Sequence, residues 1–147
     1  MRRHMFAATA VAAIALAIGG CRETSSPEEG LASARARWSA RGPASYDMVL
    51  SKACECVPGT SGTAAISVRN GVVISRTYPN DGPVPPEYAA AYPAVPDLFD
   101  IIDAAVRAGT KPIDVKYDPL YGYPVRAALG NVAADAPLYL ISGFTAR

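Results

Sequence analysis

Apolar and polar residues alternate across residues 45–56: Tyr46, Met48, Leu50, Cys54 and Cys56 share one face, and Asp47, Val49, Ser51, Ala53 and Glu55 the other. A period of two is the pattern of a half-buried strand, and this one ends in two thiols on its apolar side. Ahead of it, residues 31–41 are good helix formers with Leu31, Ala34 and Trp38 at helical spacing, and Gly42-Pro43 stops the helix. Behind it, residues 57–62 form a turn cluster, and two β-rich runs, 64–68 and 72–78, flank Asn70-Gly71, a strong hairpin signal. A two-residue turn would put Val72 and Ile74 on the face of Ser67 and Arg69. A three-residue loop of Arg69, Asn70 and Gly71, with Gly71 left-handed, instead sets Val68 opposite Val72 and Ile66 opposite Ile74. Only the second gives one coherent apolar face, so it is the expected register.

Residues 79–96 are proline-rich and irregular, a stiff crossing with one helical turn near 87–91 and with Tyr88 and Tyr92 available for packing. Residues 97–109 carry the clearest helical period. Asp97 is placed to cap, Asp100 suits the first turn, and Gly109 stops the helix. Leu98, Ile101, Ile102 and Ala105 form a stripe that Phe99 and Val106 widen, and Asp103 and Arg107 pair at i, i+4 on the outer side. Ile113, Val115 and Tyr117 then alternate with Asp114, Lys116 and Asp118. Two more strands, 123–129 and 138–144, follow, joined by a small-residue turn. The order α-β-β-β-α-β-β-β predicts an α+β, two-layer domain over residues 31–147, an antiparallel sheet with a helix packed on one face.

The N-terminus changes the picture of where this domain works. Arg2 and Arg3, an apolar run over 5–18 and small residues before Cys21 have the form of a signal peptide, residues 1–20. The run is short for a membrane span, which takes about twenty residues. Ile18-Gly19-Gly20-Cys21 has the form of a lipobox, so Cys21 is expected to become the acylated first residue, with palmitate and diacylglyceryl chains holding the protein to a membrane. The plain alternative is an ordinary thiol beside an ordinary cut. Residues 21–30 are then a polar tether. Arg22 does not resemble an inner-membrane retention signal, which favours the outer membrane where the cell has one.

Cleavage would also remove His4, the only histidine. The mature chain is then expected to lack imidazole for a Ser-His-Asp or Cys-His arrangement or for metal ligation. Losing Arg2 and Arg3 takes 14 basic against 13 acidic residues to 12 against 13. Nothing in that balance points to nucleic acid as a partner.

Trp38, Ser45-Tyr46, Cys54-x-Cys56, Val68-Arg69-Asn70-Gly71, Leu98-Phe99-Asp100, Tyr117-Asp118 and Gly122-Tyr123-Pro124, in this order, resemble an uncharacterised family of small bacterial lipoproteins, domain of unknown function six-one-seven-four. The resemblance spans residues 38–144, implies an exported domain and brings no known activity. It also implies acidic residues near the last turn, where this chain has only Asp135.

Three groups could carry chemistry. With Cys21 acylated, Cys54 and Cys56 are the remaining thiols in an oxidising setting, open to a structural disulfide, to redox or soft-metal work, or to burial as free thiols. On a regular strand their α-carbons would sit about 6.5 Å apart, so a bridge needs a local bend. Tyr117, Tyr121 and Tyr123 surround a Gly-Pro turn that either faces a partner or packs on itself. Asp97, Asp100 and Asp103 on the helix, and Asp114 and Asp118 beyond it, lack the setting of a glycosidase pair. The sequence therefore favours a lipid-anchored, extracytoplasmic module of the cell envelope. It would be non-enzymatic, without metal or cofactor, and would bind an envelope protein through a sheet edge or aromatic loop. The alternative is a thiol redox or soft-metal handling protein using the C-x-C pair.

Overall fold

The computed structural model describes residues 25–80 and 82–147. The signal peptide and Cys21 lie outside the described residues. Two helices cover one face of a seven-stranded antiparallel sheet of order β4-β3-β2-β1-β7-β6-β5, the expected α+β, two-layer arrangement. The elements are α1 (Pro27–Arg41), β1 (Tyr46–Ala53), β2 (Gly62–Arg69), β3 (Val72–Tyr78), β4 (Gly82–Pro83), α2 (Val95–Arg107), β5 (Ile113–Tyr117), β6 (Pro124–Leu129) and β7 (Leu138–Ala146). A 3-10 helix over Pro86–Ala91 forms the helical turn expected in the proline-rich crossing.

Helix α1 starts four residues before the expected position, inside the stretch read as tether. Ser26 accepts the Glu29 N–H while the Glu29 carboxylate accepts the Ser26 N–H, and Pro27 opens the first turn. This reciprocal cap satisfies two orphan donors and fixes where the helix begins. Leu31 and Ala34 are buried on the sheet side, as their spacing required.

In β1, Tyr46, Met48 and Leu50 face the core, but the strand stops at Ala53 rather than running to Cys56. Its partners are centred on it, β2 on one side and β7 on the other. The β2–β3 register corrects the expectation. Arg69 pairs with Val72 across a two-residue turn in which Asn70 and Gly71 both have positive φ, 49° and 78°. That is the turn whose twist matches the flanking strands. The conflict of faces is resolved one step later, where the register shifts so that Val68 faces Val73 and Ser67 faces Ser75, leaving Ile74 as the bulged residue. Val73 packs towards the core, while Val72 and Ile74 are 63% and 61% exposed.

Helix α2 also begins earlier than expected. Asp97 lies in the first turn and is not the cap; the N-cap is Ala94, which has no side-chain acceptor. The buried hydroxyl of Tyr46 takes that role, accepting the Val95 N–H at 3.1 Å. Leu98, Phe99 and Ile102 are buried, Gly109 turns the chain at φ 68°, and Asp103 and Arg107 pair at 2.7 Å.

Candidate functional site

The sheet ends differently on its two sides. On one side β4 has two residues, one of them Pro83, and covers β3 only at Thr77 and Tyr78. The rest of that edge is interrupted by the Ile74 bulge. Proline, shortness and a bulge are the means by which edges are made unable to accept another strand.

On the other side β5 has five residues, is free of proline, and pairs regularly with β6 from Ile113 to Lys116. Among the described residues no strand covers its outer edge. Its face-up side chains are Ile113, Val115 and Tyr117, all only half-buried; its other face presents Asp114 and Lys116 to solvent. Asp114 forms an ion pair with Arg126 of the neighbouring strand. Along this edge runs an open cleft of about 520 Å³, with Ser25, Pro27 and Gly30 on one wall and Ile113, Val115 and Tyr117 on the other. An unpaired edge beside a groove that can take alternate side chains is the arrangement that receives an extended peptide.

The tyrosines expected as a patch are half-buried and turned onto aromatic neighbours. The Tyr117 ring stacks on Phe99 at 6.3 Å, with the Arg35 guanidinium over the other ring at 5.4 Å. Burial pushes the Tyr117 hydroxyl up to about 12, against a smaller lowering by Arg35 and Arg37. Tyr121 and Tyr123 both pack on Phe144, at 5.8 and 4.2 Å, and Trp38 and Tyr46 complete that cluster. The aromatic loop thus clamps α1 to the sheet. Gly122 makes this possible: it is buried at φ 87°, and a Cβ there would run into the Ala34 carbonyl and the Arg37 side chain. Asp118 folds the loop by accepting the Leu120 and Tyr121 N–H groups at 3.0 and 2.6 Å.

Cys54 and Cys56 are joined as a disulfide, with α-carbons 5.3 Å apart. The pairing is possible because the chain bends just after Ala53, which removes the spacing a regular strand would impose. Both residues are half-exposed. The rest of this loop is fastened independently: Tyr78 donates to the Gly59 carbonyl at 2.8 Å and Tyr92 to the Ser61 carbonyl at 2.9 Å. Tyr92 is fully buried, and burial followed by the nearby Tyr78 pushes its hydroxyl up to about 12.

Of the candidate carboxylates, Asp100, Asp103 and Asp114 are held by arginines, as is Asp47. Asp100 holds Arg35 at 2.8 Å and Asp103 holds Arg107. Asp47, on the open face of the sheet, receives Arg69 at 2.8 Å and Arg147 at 2.6 Å. Hydrogen bonds from Arg69, then Arg147 and Ser67, hold its carboxyl well below the usual carboxylate range. That network joins residues a hundred positions apart, and no local pattern announces it. Among the described residues no three His, Cys, Asp or Glu side chains converge as a metal site, and no helix is long and apolar enough to cross a membrane.

The model of the Family of unknown function (DUF6174) matches residues 30–146, and the chain belongs to that family. No match was found among curated proteins or among solved structures.

Proposed function

We propose that this chain is a lipid-anchored, extracytoplasmic binding module of the bacterial cell envelope, without catalytic chemistry of its own. It engages a protein partner by taking an extended segment onto the β5 edge. One observation carries this: β5 pairs regularly with β6 from Ile113 to Lys116 and, among the described residues, has no strand on its outer side beside a 520 Å³ cleft, while the opposite edge is blunted by a two-residue strand and a bulge. The anchor is supported by the lipobox at Cys21 and by the polar residues that separate it from α1.

Two measurements test the two halves. Intact-mass analysis of membrane-extracted protein is expected to show diacylglyceryl and acyl mass on a chain beginning at Cys21; an unmodified chain sinks the anchor. A photo-cross-linking residue replacing Ile113 in the anchored protein is expected to give a discrete adduct in intact cells, and the same residue replacing Val72 none. The captured chain, purified, then has to bind the wild type and not Val115→Lys; equal binding sinks the edge.

The half-exposed Cys54–Cys56 pair favours a second reading, thiol exchange or soft-metal handling. Ready reduction by a mild dithiol without loss of the folded domain, or copper carried through purification, supports it. A pair that resists reduction is structural.

A further inference from the structure

We infer that the strand received by the β5 edge is the β5 strand of a second copy of this chain, in an antiparallel pair about a two-fold axis at Val115. This rests on the reading of that edge as the binding surface and names its occupant.

The charges of β5 select the register. With Val115 opposite Val115 of the second copy, Asp114 faces the second copy's Lys116 and Lys116 its Asp114, two opposite-charge pairs on the exposed face. Sliding the strands by two residues in one direction sets Asp114 against Asp114. Sliding them the other way sets Lys116 against Lys116 and Asp114 against Asp118. Either slide replaces attraction by like-charge repulsion. A slide by one residue would turn the apolar side chains away from the groove. Of the nearby registers, one alone is free of conflict, and it is symmetric.

The other face supplies the burial. In that register Ile113 lies opposite the second copy's Tyr117, and Val115 opposite its counterpart. All three are half-buried in the single chain, beside the cleft that α1 walls with Pro27 and Gly30. Pairing continues the sheet across both copies and completes their cover. Because the β3–β4 edge is blunted, the assembly closes at two copies and does not propagate.

The test is sedimentation equilibrium of the mature chain carrying Cys21→Ser. A monomer–dimer equilibrium is expected, weakened about tenfold or more by Lys116→Asp or by Asp114→Lys, each of which sets like charges face to face. Mixing the two variants in equal amounts is expected to restore dimers, as heterodimers, because the mixture again pairs opposite charges. Since each variant serves as the other's rescue, a folding defect cannot imitate that result. A wild-type chain monomeric at high concentration, or a dimer indifferent to both charge reversals, overturns the inference. The cross-link from position 113 separates the two levels. An adduct of twice the chain's mass supports the dimer, an adduct with another protein overturns it while leaving the edge reading in place, and no adduct overturns both.

Discussion

The two edge strands of this sheet, β4 with two residues and β5 with five, have opposite properties. Towards β4, Pro83 and the Ile74 bulge break the ladder, and Val72 and Ile74 lie open to solvent without presenting a usable strand. Towards β5, five residues keep their alternation of half-buried and exposed side chains, backed by α1 and by the stacking of Tyr117 on Phe99. On the proposed reading, exposed apolar surface is a poor guide to where another chain would bind. Continuity of backbone and a groove for side chains matter more, because main-chain hydrogen bonds supply the affinity in strand addition.

The sharpest way to break the contrast is Gly122→Ala. The new Cβ meets the Ala34 carbonyl at a positive φ, so α1 has to lift from the wall of the β5 cleft. A loss of about 3 kcal/mol or more is expected from backbone strain and lost packing together. Urea unfolding measures it, and hydrogen exchange is expected to speed up in α1 and β5 while β2 and β3 stay protected.

Deleting Ile74 would erase the difference from the other side. Without the bulge β3 becomes a regular edge, and concentration-dependent assembly larger than a dimer is expected by light scattering. An unchanged size distribution would mean that β4 and Pro83 suffice to close that edge.

A smaller effect is expected at the junction the two regions share. Tyr46→Phe removes the acceptor for the buried Val95 N–H and leaves the α2 N-terminus uncapped, costing about 1–2 kcal/mol in denaturant unfolding.

Titration sharpens the comparison further. Tyr117 beside the β5 cleft and Tyr92 behind β3 both ionise at about 12, above the ordinary 10. A raised folded value means their contribution to stability is intact below pH 10 and disappears as pH climbs through about 12. Absorbance at high pH is expected to show a late-ionising group of tyrosines that loses one member in Tyr117→Phe and another in Tyr92→Phe.

The least effect belongs to Asp47. Its folded value is depressed, so its pairing with Arg69 and Arg147 contributes above the ordinary carboxylate pKa of 3.8 and is lost as pH falls below it. Asp47→Asn is expected to lower stability slightly at neutral pH and to converge on the wild type as pH falls, which flattens the acid limb of the stability profile.

Much of the fold was legible because it is written in short-range periodicity. The stripe of Leu98 and Ile102, the alternation of Tyr46, Met48 and Leu50, and the alternation of Ile113, Val115 and Tyr117 each point one set of side chains to one face. Where the reading missed, non-local contacts decided. Asn70-Gly71 forms the two-residue turn because its twist suits the strands, and a bulge repairs the faces afterwards. Asp97 does not cap α2 because a tyrosine from another strand already does. The start of α1 was recoverable from Ser26 and Glu29, whose spacing is that of a capping box.

The helical and extended segments, their apolar faces, the family and the pairing options of three cysteines could all be read from residue order alone. Those properties depend on residues within a few positions of one another. Which strands lie at the edges, how each edge is finished, and that the tyrosines of 117–123 turn inward onto Phe99 and Phe144 emerge only once the chain is folded. Edge identity and side-chain environment are set by strand order and by contacts between residues tens of positions apart, and local patterns carry no record of either.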